Sequence, residues 1–189
     1  MRIISGAHRG KRIVAPDSLP VRPTTDLAKE SIFNILNNYF YFDAIEVLDL
    51  FAGTGNMSYE FAARGAVHVL AVDISPKCVD FIAKTAKSLD FENLTVIKAE
   101  AFQYLKTTGR KFNVIFADPP YDMDKIPALP DKIFERNLLK EDGWLVLEHS
   151  DKQDFKDHPN FYETRKYGRV HFTAFINVPE KEETTEEIL

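Results

Sequence analysis

Two short strings in this sequence end apolar runs in residues that can do chemistry. They are Val47-Leu48-Asp49-Leu50-Phe51-Ala52-Gly53-Thr54-Gly55 and Ile115-Phe116-Ala117-Asp118-Pro119-Pro120-Tyr121. In the first, glycines let the backbone approach a ligand closely, and a helix start behind them offers oriented N–H groups. The usual dinucleotide fingerprint wants a third glycine, and Ser58 stands there instead. An acid at Asp49 would repel a pyrophosphate but could accept a hydrogen bond from an ammonium. S-adenosylmethionine carries such an ammonium, and a sulfonium besides. Asp49, Phe51, Ala52, Gly53, Thr54 and Gly55 are therefore the candidate cofactor cradle. The plain alternative is a tight strand-to-helix turn that holds nothing.

Asp73 ends the next apolar run, about 20 residues past the glycines, where an acid suits a bidentate hold on two ribose hydroxyls. Such an acid serves nicotinamide and methionine cofactors alike, and it could instead cap the following helix. Ile74 could pack on an adenine face. Glu100 could accept from the adenine amino group while a backbone N–H near Ala101 meets a ring nitrogen. A carboxylate that opens a helix also has a dipole reason to be there.

In the second string two prolines stiffen the loop and leave two positions without a backbone N–H. Its carbonyls then face outward as acceptors. An exocyclic amino group of guanine or adenine offers two hydrogens, which Asp118 and the Pro119 carbonyl could take, while Pro120 stiffens the turn and Tyr121 stacks on the base. The nitrogen is thereby aimed at a methyl group, and the base must be flipped out or single-stranded. Catalysis would be positioning and electrostatics, with Asp118 either taking the released proton or only accepting a hydrogen bond.

These loops need a sheet to carry them. Apolar runs fall at 45–51, 67–72, 94–97, 112–117 and 143–147, with helix-like stretches between, such as Ser75 to Leu89. Unbroken runs alternating with helices predict a parallel sheet covered on both faces. Open sheets of this kind bind ligands beyond the carboxyl ends of their strands, where both strings must lie. Ala28, Ile32, Ile35, Leu36 and Tyr39 form a helical stripe that should end near Asp43. The runs 162–167 and 170–177, joined at Gly168-Arg169, read as a closing antiparallel hairpin. Residues 2–5 and 11–14 read as an opening hairpin around a glycine-bounded loop. The chain divides into an arm and linker (1–24), a catalytic domain (25–178) and an acidic tail (179–189) of disordered composition.

The length fits one domain that buries roughly 70% of its unfolded surface. The net charge is −5, but the tail holds Glu180, Glu182, Glu183, Glu186 and Glu187 against Lys181, so it accounts for −4 and the body for −1. The first twelve residues carry Arg2, Arg9, Lys11 and Arg12 and no acid. Arg9, Lys11 and Arg12 are the candidates for phosphate contact, with Arg22 and Thr24 where the linker should reach the cofactor mouth. A lone cysteine, Cys78, permits no intrachain disulfide, and no run reaches a membrane span. The expectation is a cytoplasmic protein without a metal, since the five histidines lack ligand spacing. Trp144 and Cys78 read as core.

At this point the residues resemble a family. Arg2-Ile3-Ile4-Ser5-Gly6, Arg9-Gly10-Lys11, Arg22-Pro23-Thr24-Thr25-Asp26 and Lys29-Glu30-Ser31-Ile32-Phe33-Asn34, with the two strings above, are similar to the RsmD-type ribosomal RNA methyltransferases. The likeness runs from about Arg2 to Ile176. It implies the α/β class I methyltransferase fold, a Rossmann-like, mostly parallel seven-stranded sheet with the last strand antiparallel. It also implies methylation of guanine N2 in 16S rRNA with S-adenosylmethionine, on a small ribosomal subunit or its assembly intermediate. A monomer is expected. Alternatives remain: an amino-methyltransferase for DNA adenine or protein glutamine, a nicotinamide oxidoreductase, and a non-catalytic RNA-binding assembly factor.

Overall fold

Each apolar run forms a strand, and each glycine, serine or acid after it starts a crossover. The computed structural model describes residues 1–16, 19, 26–168 and 170–179. The order is α1 (Asp26–Leu36), β1 (Glu46–Asp49), α2 (Asn56–Ala63), β2 (His68–Asp73), α3 (Pro76–Ser88), β3 (Leu94–Lys98), α4 (Ala101–Thr107), β4 (Phe112–Ala117), α5 (Leu129–Glu135), β5 (Leu139–His149), β6 (Phe161–Tyr167) and β7 (Val170–Ile176). Among the described residues seven strands form one sheet, ordered β3-β2-β1-β4-β5-β7-β6. The first five strands pair with one another in parallel, and β7 is antiparallel to both β5 and β6. The expected sheet, its closing hairpin and the core placement of Trp144 and Cys78 are all present.

Successive strand residues point to opposite faces. Val47, Val69, Ala71, Val114, Phe116, Trp144 and Val146 join Phe33 of α1, Phe61 of α2 and Ile82 of α3 in one buried cluster. Leu48, Leu70, Val72, Ile115, Leu145 and Leu147 join Leu105 of α4 and Ile133 of α5 in the other. A register shift between Phe112 and Val114 puts Phe112 in the second cluster and sets the phase of the rest of β4.

Three boundaries differ from expectation. The first helix stops at Leu36 rather than near Asp43. Asn37 and Asn38 are poor helix formers, and the rings of Tyr39 and Phe40 turn onto Trp144 at 4.5 and 5.9 Å. The opening hairpin is a short one centred on the Arg2–Arg12 bridge: Ile3 N–H donates to Lys11 O, Gly10 N–H to Ile3 O and Ile13 N–H to Met1 O, while Ile4 and Ser5 give their N–H groups to Glu60 and end the pairing. The fifth strand begins at Leu139, before its apolar run, since Leu139 still pairs with Phe112. The linker caps Thr24 and Thr25, the turn residue Arg169 and the tail beyond Pro179 lie outside the described residues.

The arm is held by a carboxylate. Glu60 of α2, fully buried, accepts from the backbone N–H of Ile4 (2.8 Å) and Ser5 (3.0 Å) and from Arg64 Nε (2.9 Å). Lys29 of α1, 1% exposed, lies 3.4 Å from it and donates to Arg2 O (2.5 Å) and Asn56 Oδ1 (2.9 Å). Burial pushes the Lys29 ammonium down from its usual pKa, and Glu60 opposes that. At the arm's tip Ala7 N–H donates to Ala63 O, and a Cβ on Gly6 would fall 1.9 Å from that oxygen. No helix among the described residues is long and apolar enough to cross a membrane.

Glu60→Ala would strand a buried ammonium and release two arm donors. Loss of one partner of a buried pair costs about 3–5 kcal/mol, so urea unfolding should show a drop of that order. A loss under about 1 kcal/mol, the scale of an exposed pair, would contradict this anchoring.

Candidate active site

The sheet's alternation brings four acids to one rim. Asp49 and Asp73 end β1 and β2, and Asp118 follows β4. Ala117 pairs with Leu147, so Asp118 stands beside Glu148 on the next strand. Each of the four continues the face that carries Val47, Ala71, Phe116 and Val146.

Asp49 is 2% exposed, and burial pushes its carboxyl up to about 7 against the help of Ser58. Ser58 Oγ donates to Asp49 Oδ2 at 2.5 Å. The residue at the missing third glycine therefore has a use: it holds the one acid in the loop. Gly53 and Gly55 both adopt positive φ, and Gly55 opens α2. A Cβ on Gly55 would fall 2.7 Å from Tyr59 Cζ, so this position needs glycine for space as well as conformation. Phe51, Ala52 and Thr54 complete the turn, with Ala52 N–H donating to Val72 O.

Asp73 accepts from Gly53 N–H and Ser75 N–H, both at 2.8 Å. It thus ties the glycine loop to the start of α3, whose cap is Ser75. A carboxylate has about four lone-pair positions, so each oxygen keeps capacity for a hydroxyl. Ile74 beside it is 64% exposed. Glu100 caps α4 by accepting from Phe102 and Gln103 N–H, which is the structural role foreseen for it. Ala101 is buried in the first turn of that helix.

In the proline loop, Pro119 is buried and Pro120 exposed. Tyr121, 40% exposed, donates from its hydroxyl to Glu148 Oε1 at 2.7 Å. Burial first, then the neighbouring Glu148 and Asp49 charges, hold the Asp118 carboxyl well above its usual pKa. Glu148 is 5% exposed, and burial raises it too. Reading of the sequence missed Glu148 because the apolar run ends at Leu147. The signal was available as a charge one residue past that run, level with Asp118 only once β4 and β5 are paired.

Arg9, Lys11 and Arg12 are all exposed. The fold does not bring them to the acidic rim. The arm's loop sits at Ala63, the far end of α2 from Gly55, and eight residues of helix span about 12 Å. His8, at the tip, donates from Nε2 to Leu89 O at 2.8 Å. Arg22 and Thr24 lie outside the described residues. No group of acids, histidines and cysteine among the described residues could hold a metal ion.

The family model described as conserved hypothetical protein 95 matches residues 1–176. The chain belongs to that family. YlbH of Bacillus subtilis, provisionally named an rRNA methyltransferase, is 39% identical over 153 residues, covering 79% of this chain and 82% of that one. The ribosomal RNA small subunit methyltransferase D of Escherichia coli is 34% identical over 148 residues, covering 78% and 71%. A solved Escherichia coli structure titled provisionally as a methyltransferase, yhhF, superposes with a TM-score of 0.84 at 24% identity, covering 95% and 99%. That last likeness shows the fold alone. The class I methyltransferase fold and the RsmD-type resemblance are borne out.

Gly55→Ala should remove cofactor binding and lower stability by at least about 1 kcal/mol, the usual cost of an L-residue at positive φ. Isothermal titration with S-adenosylmethionine and urea unfolding measure both. Unchanged affinity would show that the loop does not cradle the cofactor.

Proposed function

We propose that the protein methylates the exocyclic N2 of a guanine in small-subunit rRNA, using S-adenosylmethionine. The observation that carries this reading is a rim of four acids, Asp49 and Glu148 buried and Asp73 and Asp118 half-buried, beside a loop that presents acceptors and few donors. Such a rim suits a cationic cofactor and an amino-bearing base, and suits neither a pyrophosphate nor a phosphate. The named relatives support rRNA as the substrate.

The residues fit the cofactor. Asp49, buried and short of a cation, accepts from the ammonium, and Ser58 aims it. The glycine loop lets the chain approach closely. Asp73 takes the ribose hydroxyls with its spare lone pairs, while Ile74, Ala101 and Glu100 border the adenine. The cofactor supplies an electrophilic methyl on a sulfonium.

Asp118 and the Pro119 carbonyl accept the two amino hydrogens and fix the nitrogen, and Tyr121 stacks on the base. Guanine presents N1–H beside its amino group, a second match for the Asp118 carboxylate, whereas adenine presents an acceptor there. The nitrogen lone pair forms the N–C bond as the C–S bond breaks, its electrons staying on sulfur. One proton then leaves the nitrogen. Positioning and charge complementarity carry the rate. Arg9, Lys11 and Arg12 contact phosphates that flank the target from the far end of α2. The substrate is a partly assembled small subunit in the cytoplasm, and the enzyme acts as a monomer.

The test is transfer of labelled methyl from S-adenosylmethionine to small subunits from a strain lacking the modification, with nucleoside analysis and with DNA and protein alongside. Label on guanine N2 supports the reading. Label on DNA adenine or on protein would replace the substrate, and no label on any of them would remove the enzymatic reading. Asp118→Ala should lower transfer at least about 10²-fold with cofactor affinity kept within a few fold, and wild-type turnover would overturn the clamp. Neutralising Arg9, Lys11 and Arg12 together should flatten the salt dependence of RNA binding, with a log–log slope smaller by about 2–3. An unchanged slope would return the arm to a structural role.

A further inference from the structure

The carboxyl pair of Asp118 and Glu148 offers more than a clamp. Glu148 is buried beneath the proline loop, and its two oxygens are treated differently. Oε1 accepts from the Tyr121 hydroxyl at 2.7 Å, while Oε2 is buried and meets no donor. The group beside it is the Asp118 carboxyl, also an acceptor when ionised. Two facing carboxylates in a dry site become a hydrogen-bonded pair only when they share a proton.

We propose that Glu148 is a positioning residue for methyl transfer: paired with Asp118 through one shared proton, it orients the Asp118 oxygen that accepts from the base and relieves Asp118 of the proton shed by the methylated nitrogen. The inference rests on the methyltransferase reading above. Before reaction the pair holds one proton and one negative charge. Asp118 accepts the proton released from nitrogen, the pair becomes neutral, and one proton then leaves to water past the half-exposed Tyr121. Nothing besides water is needed to reset it.

The groups around Glu148 are consistent with this use. Asp49 adds a further negative charge on the β1 side, which favours retention of a proton. On the β7 side Phe172 stands opposite Glu148 and supplies no charge. His149, the next residue, turns its Nε2 to the Thr173 hydroxyl and its Nδ1 to Ser150 O, and His171 pairs opposite it. Burial holds both carboxyls up in pKa. Tyr121 links the pair to the base, because the ring proposed to stack is held by the acid that tunes Asp118.

The test compares Glu148→Gln, Glu148→Asp and wild type in single-turnover methyl transfer across pH. Glu148→Gln keeps an acceptor for Tyr121 and removes the titrating group. It should lower the rate about 10²-fold, the scale of a lost proton-transfer group, with cofactor affinity within a few fold. The active pair carries one proton, so the wild-type rate should fall at high pH as that proton is lost; with the amide this second ionisation is gone and the alkaline limb should disappear. Glu148→Asp should recover part of the rate and of the limb. A Glu148→Gln enzyme with wild-type rate and limb would overturn the role. If that variant unfolds, Tyr121→Phe serves: loss of its donor raises Glu148, so the limb should move to higher pH, and an unmoved limb overturns the role. An inactive wild type would sink the methyltransferase reading itself, an outcome distinct from an active wild type indifferent to Glu148.

Discussion

The structure depends on the phase of its strands. Side chains alternate every residue along β1, β2, β4 and β5, and parallel pairing locks those strands level with one another. Every second position under α1, α2 and α3 is apolar until the sheet ends, and there it becomes acidic. A slip of one residue would bury the acids among the leucines of the other face. The shift between Phe112 and Val114 is part of that setting, since it fixes which face Asp118 meets.

Crowding acids in a partly buried rim opposes folding. Asp49 has its pKa raised from 3.8 to about 7. Between those values the folded protein binds more protons than the unfolded chain, so this group makes stability fall as pH rises through that window. Three features offset the cost. Ser58 hydrogen-bonds Asp49, backbone N–H groups hold Asp73, and a shared proton joins Asp118 to Glu148. The remaining deficit is cationic, which is what a sulfonium and an ammonium supply. Stability given up at a site in this way is commonly recovered by the ligand. The arm shows the opposite solution. Glu60 is as buried as any acid in the rim, yet Lys29, Arg64 and two backbone donors satisfy it, so it anchors structure and does no chemistry.

How much of this was legible follows from the distance in sequence between cause and effect. Gly53, Gly55 and Asp49 announce themselves within one strand–loop–helix unit, and Asp118 to Tyr121 within one loop. The sheet followed from unbroken apolar runs, and its antiparallel close from two alternating runs around Gly168. Glu148 was not legible, because its meaning depends on which strand lies beside β4 and in which register. Lys29 was hidden for a similar reason: it lies in an otherwise apolar helical stripe, and its partner is 31 positions away on α2. The early end of the first helix came from Trp144, more than 100 residues later, drawing Tyr39 and Phe40 out of line. Asp73 and Glu100 had two readings each, and the backbone bonds they make give the structural one without removing the other.

The central claim is that Asp49 is an acid kept waiting for a cation, and proton counting tests it most directly. Titrating S-adenosylmethionine by calorimetry at pH 6 and pH 8, in buffers of different ionisation enthalpy, measures protons released on binding. With the Asp49 carboxyl near 7, the wild type should release about one proton more than Asp49→Asn at pH 6 and close to none more at pH 8, the ligand's own amino group contributing equally to both proteins. Equal release by wild type and Asp49→Asn at pH 6 would contradict the account.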